Sequence, residues 1–407
     1  MAQPSHVVAL RALSILLLVV AVLSFLLMLV DQGWSSTFRL FHVPPLQPVF
    51  ADLRTISGAW ISQSQGLDPY VANPGDPWAR PLNYPPIWSA ILRAFSAGGD
   101  PVLILGTLQA IAMIAIAFRA SLLRRGYLAT LLLLSPPILL LIERGNTDSL
   151  VFALVLAAFS YGSFGGGVVM GLAVALKLYP VAGMLAGFAF PPRRAFAFGA
   201  ATALPLIAWS LAQVVAILRA TPAEIGVSFG LYNFLLLLLN PSAWFASYVS
   251  PAVMPSLLLR GLALCAFVLT AGSIWLLARS SYKDLFQRAA ALSPPEKRIF
   301  FGFLFLFLAI FCASPNSGYR IVFLLPVIWG FALLDERGRG AAAKLFLAFG
   351  VLLMYSPFID AQWLVFNCFA FLYALFLSPL VIEAVVSGRR RSAVGEPQSR
   401  LYEKGLS

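Results

Sequence analysis

The chain has 407 residues, 60% of them hydrophobic and 11% charged, with a mean hydropathy of +0.88 and a formal net charge of +12. This usage lies far outside that of soluble domains and implies an all-α, polytopic membrane protein. Two histidines (His6, His42) and three cysteines without metal-type spacing (Cys265, Cys312, Cys368) leave little material for a histidine metal site, a Ser-His-Asp relay or a disulfide framework.

The apolar run that opens the chain is too long for a signal-peptide core and lacks a small-residue cleavage site, so it reads as an uncleaved first span over 8–30. Asp31 to Pro86 is then a long polar interval. Within it Phe50, Leu53, Ile56 and Trp60 recur at helical spacing, predicting an amphipathic helix lying on the membrane surface. The apolar stretch Pro85 to Ser96 is about half a crossing long and predicts a half-helix. Further spans are expected at 101–119, 126–142, 148–163, 165–177, 179–190, 194–217, 256–278, 299–313, 319–334, 344–358 and 363–386, about 12 in total with several short.

Charge placement supports this topology. With the N-terminus inside and Pro85 to Ser96 not crossing, 19 of the 28 Lys and Arg lie on the cytoplasmic side with 7 acids, and the outer side is neutral. The basicity therefore follows the positive-inside rule, and nucleic acid needs no place in the account. A single domain over 1–388, with an outer loop at 31–86 and a basic cytoplasmic tail at 389–407, is expected in the inner (plasma) membrane with both termini cytoplasmic.

The unusual residues fall on the outer side. Asp52 is either an acid favourable to a helix dipole, a partner for Arg54, or a general base at the membrane surface. In Asn83-Tyr84-Pro85-Pro86 the prolines suit a rigid helix start, and Tyr84 and Trp88 suit an interface belt as well as a site. Glu143-Arg144-Gly145-Asn146-Thr147-Asp148 joins two spans through a turn whose charges need mutual pairing or water. Lys177 ends a short span, where snorkelling is the plain explanation, and Arg320 stands at the same depth. With Arg144, these cations beside isolated carboxylates describe a site for an anionic lipid headgroup, and Arg adds bidentate phosphate contacts.

The order of these motifs resembles a known family. An early Asp52, Gly66-x-Asp-Pro-Tyr70, Tyr84-Pro-Pro86, Gly145-Asn-x-Asp148, Gly171-Leu-x-x-x-Leu-Lys-x-Tyr-Pro180 and Ser314-Pro-x-Ser317 are similar to the GT-C class of integral membrane glycosyltransferases. Within that class the chain resembles glycosyltransferase family 87, which contains polyprenyl-phosphate-mannose-dependent mannosyltransferases, over residues 8 to 335. The resemblance implies inverting transfer of a hexosyl, chiefly mannosyl, or pentosyl residue from a polyprenyl-phosphate sugar to a lipid or glycan acceptor, with no metal and no cofactor beyond that donor. It implies Asp52 as the base, Lys177, Arg320 and Arg144 around the donor phosphate, and Tyr84, Asn146, Asp148, Tyr319 and Asn316 toward sugar or acceptor. Relatives often read Ser-Pro-x-Ser-Trp-Asp-His-His at the late motif, where this chain has Ser314-Pro-Asn-Ser-Gly-Tyr-Arg320, so the histidine's part falls to Arg320 or Tyr319. The competing class is a transporter or flippase for lipids or polyprenyl-linked glycans. It is disfavoured because the sequence shows no internal repeat and the unusual residues lie at one face, away from the midplane.

Overall fold

A computed structural model of the chain describes residues 4–95, 100–122, 126–187, 192–221, 228–230, 284–313, 316–336, 341–355, 367–368 and 370–380. Among them regular structure is helical, apart from one antiparallel pair of two-residue strands. Among the described residues three helices are long and apolar enough to cross a membrane, Val8–Leu40, Pro101–Ser121 and Gly318–Asp335, or four if the bent pair Arg193–Ala201 and Leu204–Leu211 forms one span. Of the segments expected from sequence, the span at 256–278, Ser314 and Pro315 of the late motif and the tail at 389–407 lie outside the described residues, as do parts of the spans at 179–190, 344–358 and 363–386.

The first helix, α1 (Pro4–Leu40), does not stop at Asp31, where a loop was expected. It continues to Gly33, whose φ of +78° glycine adopts without penalty, and there it breaks. Past the break the chain folds back, because Phe25 meets Phe38 and Phe41 at ring centroid distances of 5.5 and 5.6 Å. An unbroken helix would hold Phe25 and Phe38 about 20 Å apart. Trp34 then reaches Phe50, joining the turn to the start of the next helix.

Helix α2 (Ala51–Ser64) covers the predicted amphipathic stretch, and its inner face packs against protein. Leu53, Ile56, Ala59 and Ser62 are buried, and the chain from Gly66 to Pro86 folds across it. The two segments touch through backbone at Gly58 and Gly75, where a Cβ on Gly58 would stand 2.4 Å from the Asp76 nitrogen. Polar side chains close this contact. Asn73 Nδ2 donates to the Thr55 and Arg80 carbonyls, Ser62 Oγ donates to Asn73 Oδ1, and Thr55 Oγ1 donates to Asp76.

After Pro86 comes α3 (Ile87–Phe95), nine residues and about 14 Å long, far short of a hydrocarbon core of about 30 Å. Its Trp88 is fully buried and donates Nε1–H to the Leu176 carbonyl. Helix α4 (Pro101–Ser121) starts on Asp100, whose carboxylate accepts from the Val102 amide as an N-cap.

The expected span at 126–142 is two helices, α5 (Tyr127–Leu133) and α6 (Pro136–Glu143). Pro136 and Pro137 cannot donate backbone hydrogen bonds and drive the preceding residue out of helical geometry, so an unbroken apolar composition does not give an unbroken helix. Helices α7 (Asp148–Tyr161) and α8 (Phe164–Leu176) have 14 and 13 residues, about 20 Å each. Next are α9 (Val181–Gly187), then α10 (Arg193–Ala201), α11 (Leu204–Leu211) and α12 (Val214–Ala220), which break the span expected at 194–217 twice.

Strand β1 (Ser228–Phe229) pairs with β2 (Asn316–Ser317), Ser228 opposite Ser317, and so anchors the late motif. Between them lies α13 (Pro294–Ala313), against α7 and α9. After β2 a 3₁₀ helix (Gly318–Leu324) leads into α14 (Leu325–Glu336), followed by α15 (Ala341–Tyr355) and α16 (Ala370–Leu380). Phe152, Phe159, Phe303 and Phe323 form a core cluster between α7, α13 and the 3₁₀ helix, and Phe323 stands edge-on to Tyr179 at 5.3 Å.

The backbone contact of α2 gives a direct test. Gly58→Ala should lower thermal stability in detergent by about 1–3 kcal/mol, since the new methyl meets backbone that cannot rotate away. Gly165→Ala, within α8 and with a Cβ that meets nothing within 4 Å, should keep or slightly raise the melting temperature.

Candidate functional site

The turn Glu143 to Asp148 closes α6 and opens α7. Gly145 takes a φ of +56°, and its amide and that of Asn146 donate back to Ile142 and Leu141, so the chain reverses in a few residues. Reversal sends neighbouring side chains to opposite sides. Arg144 therefore takes partners apart from Lys177 and Arg320, donating Nη2–H to the Pro44 carbonyl at 3.1 Å and pairing with Glu143 at 3.3 Å. This corrects its expected place beside Lys177 and Arg320. What Arg144 lends the site is its backbone carbonyl, which accepts from the Asp52 amide at 2.9 Å and fixes the first turn of α2 over the reversal.

Asn146 is turned inward and is completely buried. Its Nδ2 donates to Asp52 Oδ2 at 2.5 Å and to the Tyr84 hydroxyl at 3.1 Å. Its Oδ1 accepts from the Asp148 amide at 2.9 Å and from Lys177 Nζ at 3.3 Å. An amide has two N–H donors and two acceptor lone pairs, and all four are used here. Asn146, expected to face sugar or acceptor, is thus a bridge between a carboxylate and an ammonium. Gln109 of α4, with its amide nitrogen toward the turn, stands 3.1 Å from the Gly145 and Asn146 carbonyls and the Ser149 hydroxyl, and its two N–H groups serve two of these three acceptors, holding the bridge from behind.

On the cationic side, Lys177 follows the last residue of α8 and pairs with Asp148 Oδ1 at 2.5 Å. Tyr179 donates its hydroxyl to the same oxygen at 2.9 Å, while Arg320 Nε stands 3.4 Å from Asp148 Oδ2. Two cations from separate parts of the chain thus close on one buried carboxylate. Their faces rest on aromatic rings, Lys177 over Tyr84 at 4.9 Å and Arg320 over Tyr179 at 5.2 Å, where the ring quadrupole favours positive charge. Of the pair, Arg320 is the more open, 18% exposed against 9% for Lys177.

On the acidic side, Asp52 is 14% exposed, and its other oxygen meets Arg80 Nη1 at 3.4 Å. Arg80 also holds Asp76 and the Ala51 carbonyl. Burial works against its charge, but the Asp76 hydrogen bond and the charges of Asp52 and Asp76 outweigh it and hold the guanidinium pKa above its ordinary value. Tyr84 closes the space between the two sides. Burial first, then the Asp52 charge, pushes its phenol well above the usual tyrosine value, so it stays protonated and its hydrogen remains available. Tyr319 is half-buried and within electrostatic reach of Asp52 and Asp148. Asn316 is placed by its backbone pairing with Phe229.

The chain thus gathers Asp52, Tyr84, Asn146, Asp148, Lys177, Tyr319 and Arg320 at one place and leaves Arg144 outside. Arg80, Asp76, Tyr179 and Gln109 belong to the same network and were not among the expected site residues. The spacing of Asp76 and Arg80 was the available signal for that pair, and an unpatterned loop gave it no direction. Among the described residues no group of three or more His, Cys, Asp or Glu side chains comes together as a metal-binding set.

The arrangement is polarised. A carboxylate held by an amide and a guanidinium lies on one side, two cations sharing a carboxylate lie on the other, and a neutral, protonated tyrosine stands between them. Such a site can accept a proton at one end and hold an anion at the other.

If Asp148 depends on Lys177, Lys177→Met should destabilise the protein by about 3 kcal/mol, the order expected when one partner of a buried pair is removed. Adding Asp148→Asn should recover part of the loss, with both read by thermal unfolding in detergent. No family model matches this sequence, and no curated protein matches it.

Proposed function

We propose that the chain is a GT-C-type membrane glycosyltransferase, with about 12 spans, that moves a hexosyl (mannosyl) or pentosyl residue from a polyprenyl-phosphate sugar to a lipid or glycan acceptor. It works on the outer face of the inner membrane, with both termini cytoplasmic. The observation that carries this reading is the single amide of Asn146, which joins Asp52 to Lys177 and so fixes a base beside a pair of cations. The motif order described above supplies the reaction class.

Asp52 takes the proton of the acceptor hydroxyl as that oxygen attacks the anomeric carbon. The bond from the anomeric carbon to the phosphate oxygen breaks, and the electron pair leaves with the polyprenyl phosphate. Attack opposite the leaving group inverts the anomeric configuration. Arg320, the more open cation, meets the charge gathering on that phosphate, and Lys177 steadies Arg320 through their common Asp148. Tyr84, protonated across the working pH range, offers its hydrogen to the sugar or the acceptor. No step requires a metal or another cofactor.

Purified protein in lipid vesicles, given radiolabelled polyprenyl-phosphate mannose or arabinose and a native lipid extract, should transfer label to the extract. Asp52→Asn should lower kcat by roughly 10²- to 10⁴-fold, the range for a general base, with the fold intact by thermal unfolding. Arg320→Ala should raise donor KM or lower kcat, while Arg144→Gln, at a residue whose partners are Pro44 and Glu143, should leave both unchanged. Turnover retained in Asp52→Asn removes Asp52 from the mechanism. Movement of labelled lipid across the vesicle without transfer replaces the enzyme with a flippase.

A further inference from the structure

We infer that Arg80 is a positioning residue for Asp52, a role that rests on the proposed base function of that carboxylate. Arg80 is in no helix or strand. It is set by the segment that folds over α2, and its guanidinium is divided among three partners. Nε and Nη2 meet Asp76 at 3.1 and 3.0 Å, Nη2 also meets the Ala51 carbonyl at 2.5 Å, and Nη1 reaches Asp52 Oδ1 at 3.4 Å.

Asp76 is itself only 2% exposed. It accepts from the Trp78 and Arg80 amides and from the Thr55 hydroxyl, so it is a fixed post. Trp78 covers the guanidinium at 4.7 Å from the ring centroid, leaving it one orientation. The planar fork thus transfers the position of a rigid loop to one oxygen of Asp52, while Asn146 holds the other oxygen.

The two grips differ. The contact to Asn146 is short, and that to Arg80 is long enough to yield. The orientation of Asp52 then depends on residues that touch no substrate. A lysine at position 80 would keep the charge but could not span Asp76, Ala51 and Asp52 together.

The test uses the full chain in lipid vesicles with radiolabelled polyprenyl-phosphate mannose and a native lipid extract. Arg80→Met should lower kcat at least tenfold with donor KM changed less than twofold, because the donor phosphate lies at the Arg320 side. Arg80→Lys should recover only part of kcat, and millimolar guanidinium should restore turnover to Arg80→Ala. A thermal double-mutant cycle between Asp52→Asn and Arg80→Met, read without substrate, should be non-additive. Wild-type kcat in Arg80→Met, a matching rise in donor KM, or additivity in the cycle overturns the role of Arg80 alone. A wild-type protein that transfers from no donor overturns the glycosyltransferase reading and the role of Arg80 with it.

Discussion

A buried amide with no hydrogen bond to spare holds this structure's site together. Asn146 binds Asp52 and Tyr84 with its nitrogen, and Lys177 and the start of α7 with its oxygen. In a low-dielectric interior each of these contacts is strengthened, and leaving any one unmade would carry a full desolvation cost. The carboxylate of α2, the aromatic before α3, the first turn of α7 and the lysine after α8 therefore have one mutual arrangement. Two neighbours keep the amide there. The reversal at Gly145 aims it inward, and Gln109 secures the carbonyls behind it.

Around that amide the charges sort by distance from solvent. Asp148 is wholly enclosed and is neutralised from two directions, while Asp52, Arg320 and Arg80 remain progressively more open. The proposed reaction uses this gradient. The buried pair of Lys177 and Asp148 fixes the electrostatics, and the open groups do the binding and proton transfer. The phenylalanine cluster beneath, through Phe323 and Tyr179, gives the arrangement a floor that does not rearrange easily.

Much of this was legible in the sequence as positions rather than contacts. Isolated charges in a chain so apolar are costly wherever they stand, so Asp52, Asp148, Lys177 and Arg320 identified themselves. The direction of a side chain leaving a tight turn is not written in its neighbours. For that reason Arg144 was placed at the site, and Asn146 was assigned to substrate when it serves as a bridge. Arg80 escaped because its loop has no periodicity and its direction comes from Asp76, itself held by α2 across the segment. The apolar runs at 126–142 and 194–217 hid their breaks because hydropathy averages over prolines and turns, which end helices without lowering it. The fold-back of α1 at Gly33 was hidden for another reason, since the polar residues from Asp31 onward read as the start of a loop while the helix runs on to Gly33.

The 3₁₀ helix that carries Arg320 runs for seven residues, Gly318–Leu324, about twice the usual length of such a segment. A 3₁₀ helix rises about 2.0 Å per residue against 1.5 Å in an α-helix. Arg320 is the third residue of the segment, so winding it as α-helix would draw the arginine about 1.5 Å toward Ser317, roughly half of its 3.4 Å separation from Asp148. The winding of this one segment thus acts as a length gauge. The strand pair at Ser317 fixes one end and α14 the other, and the reach of the arginine is set by the pitch between them.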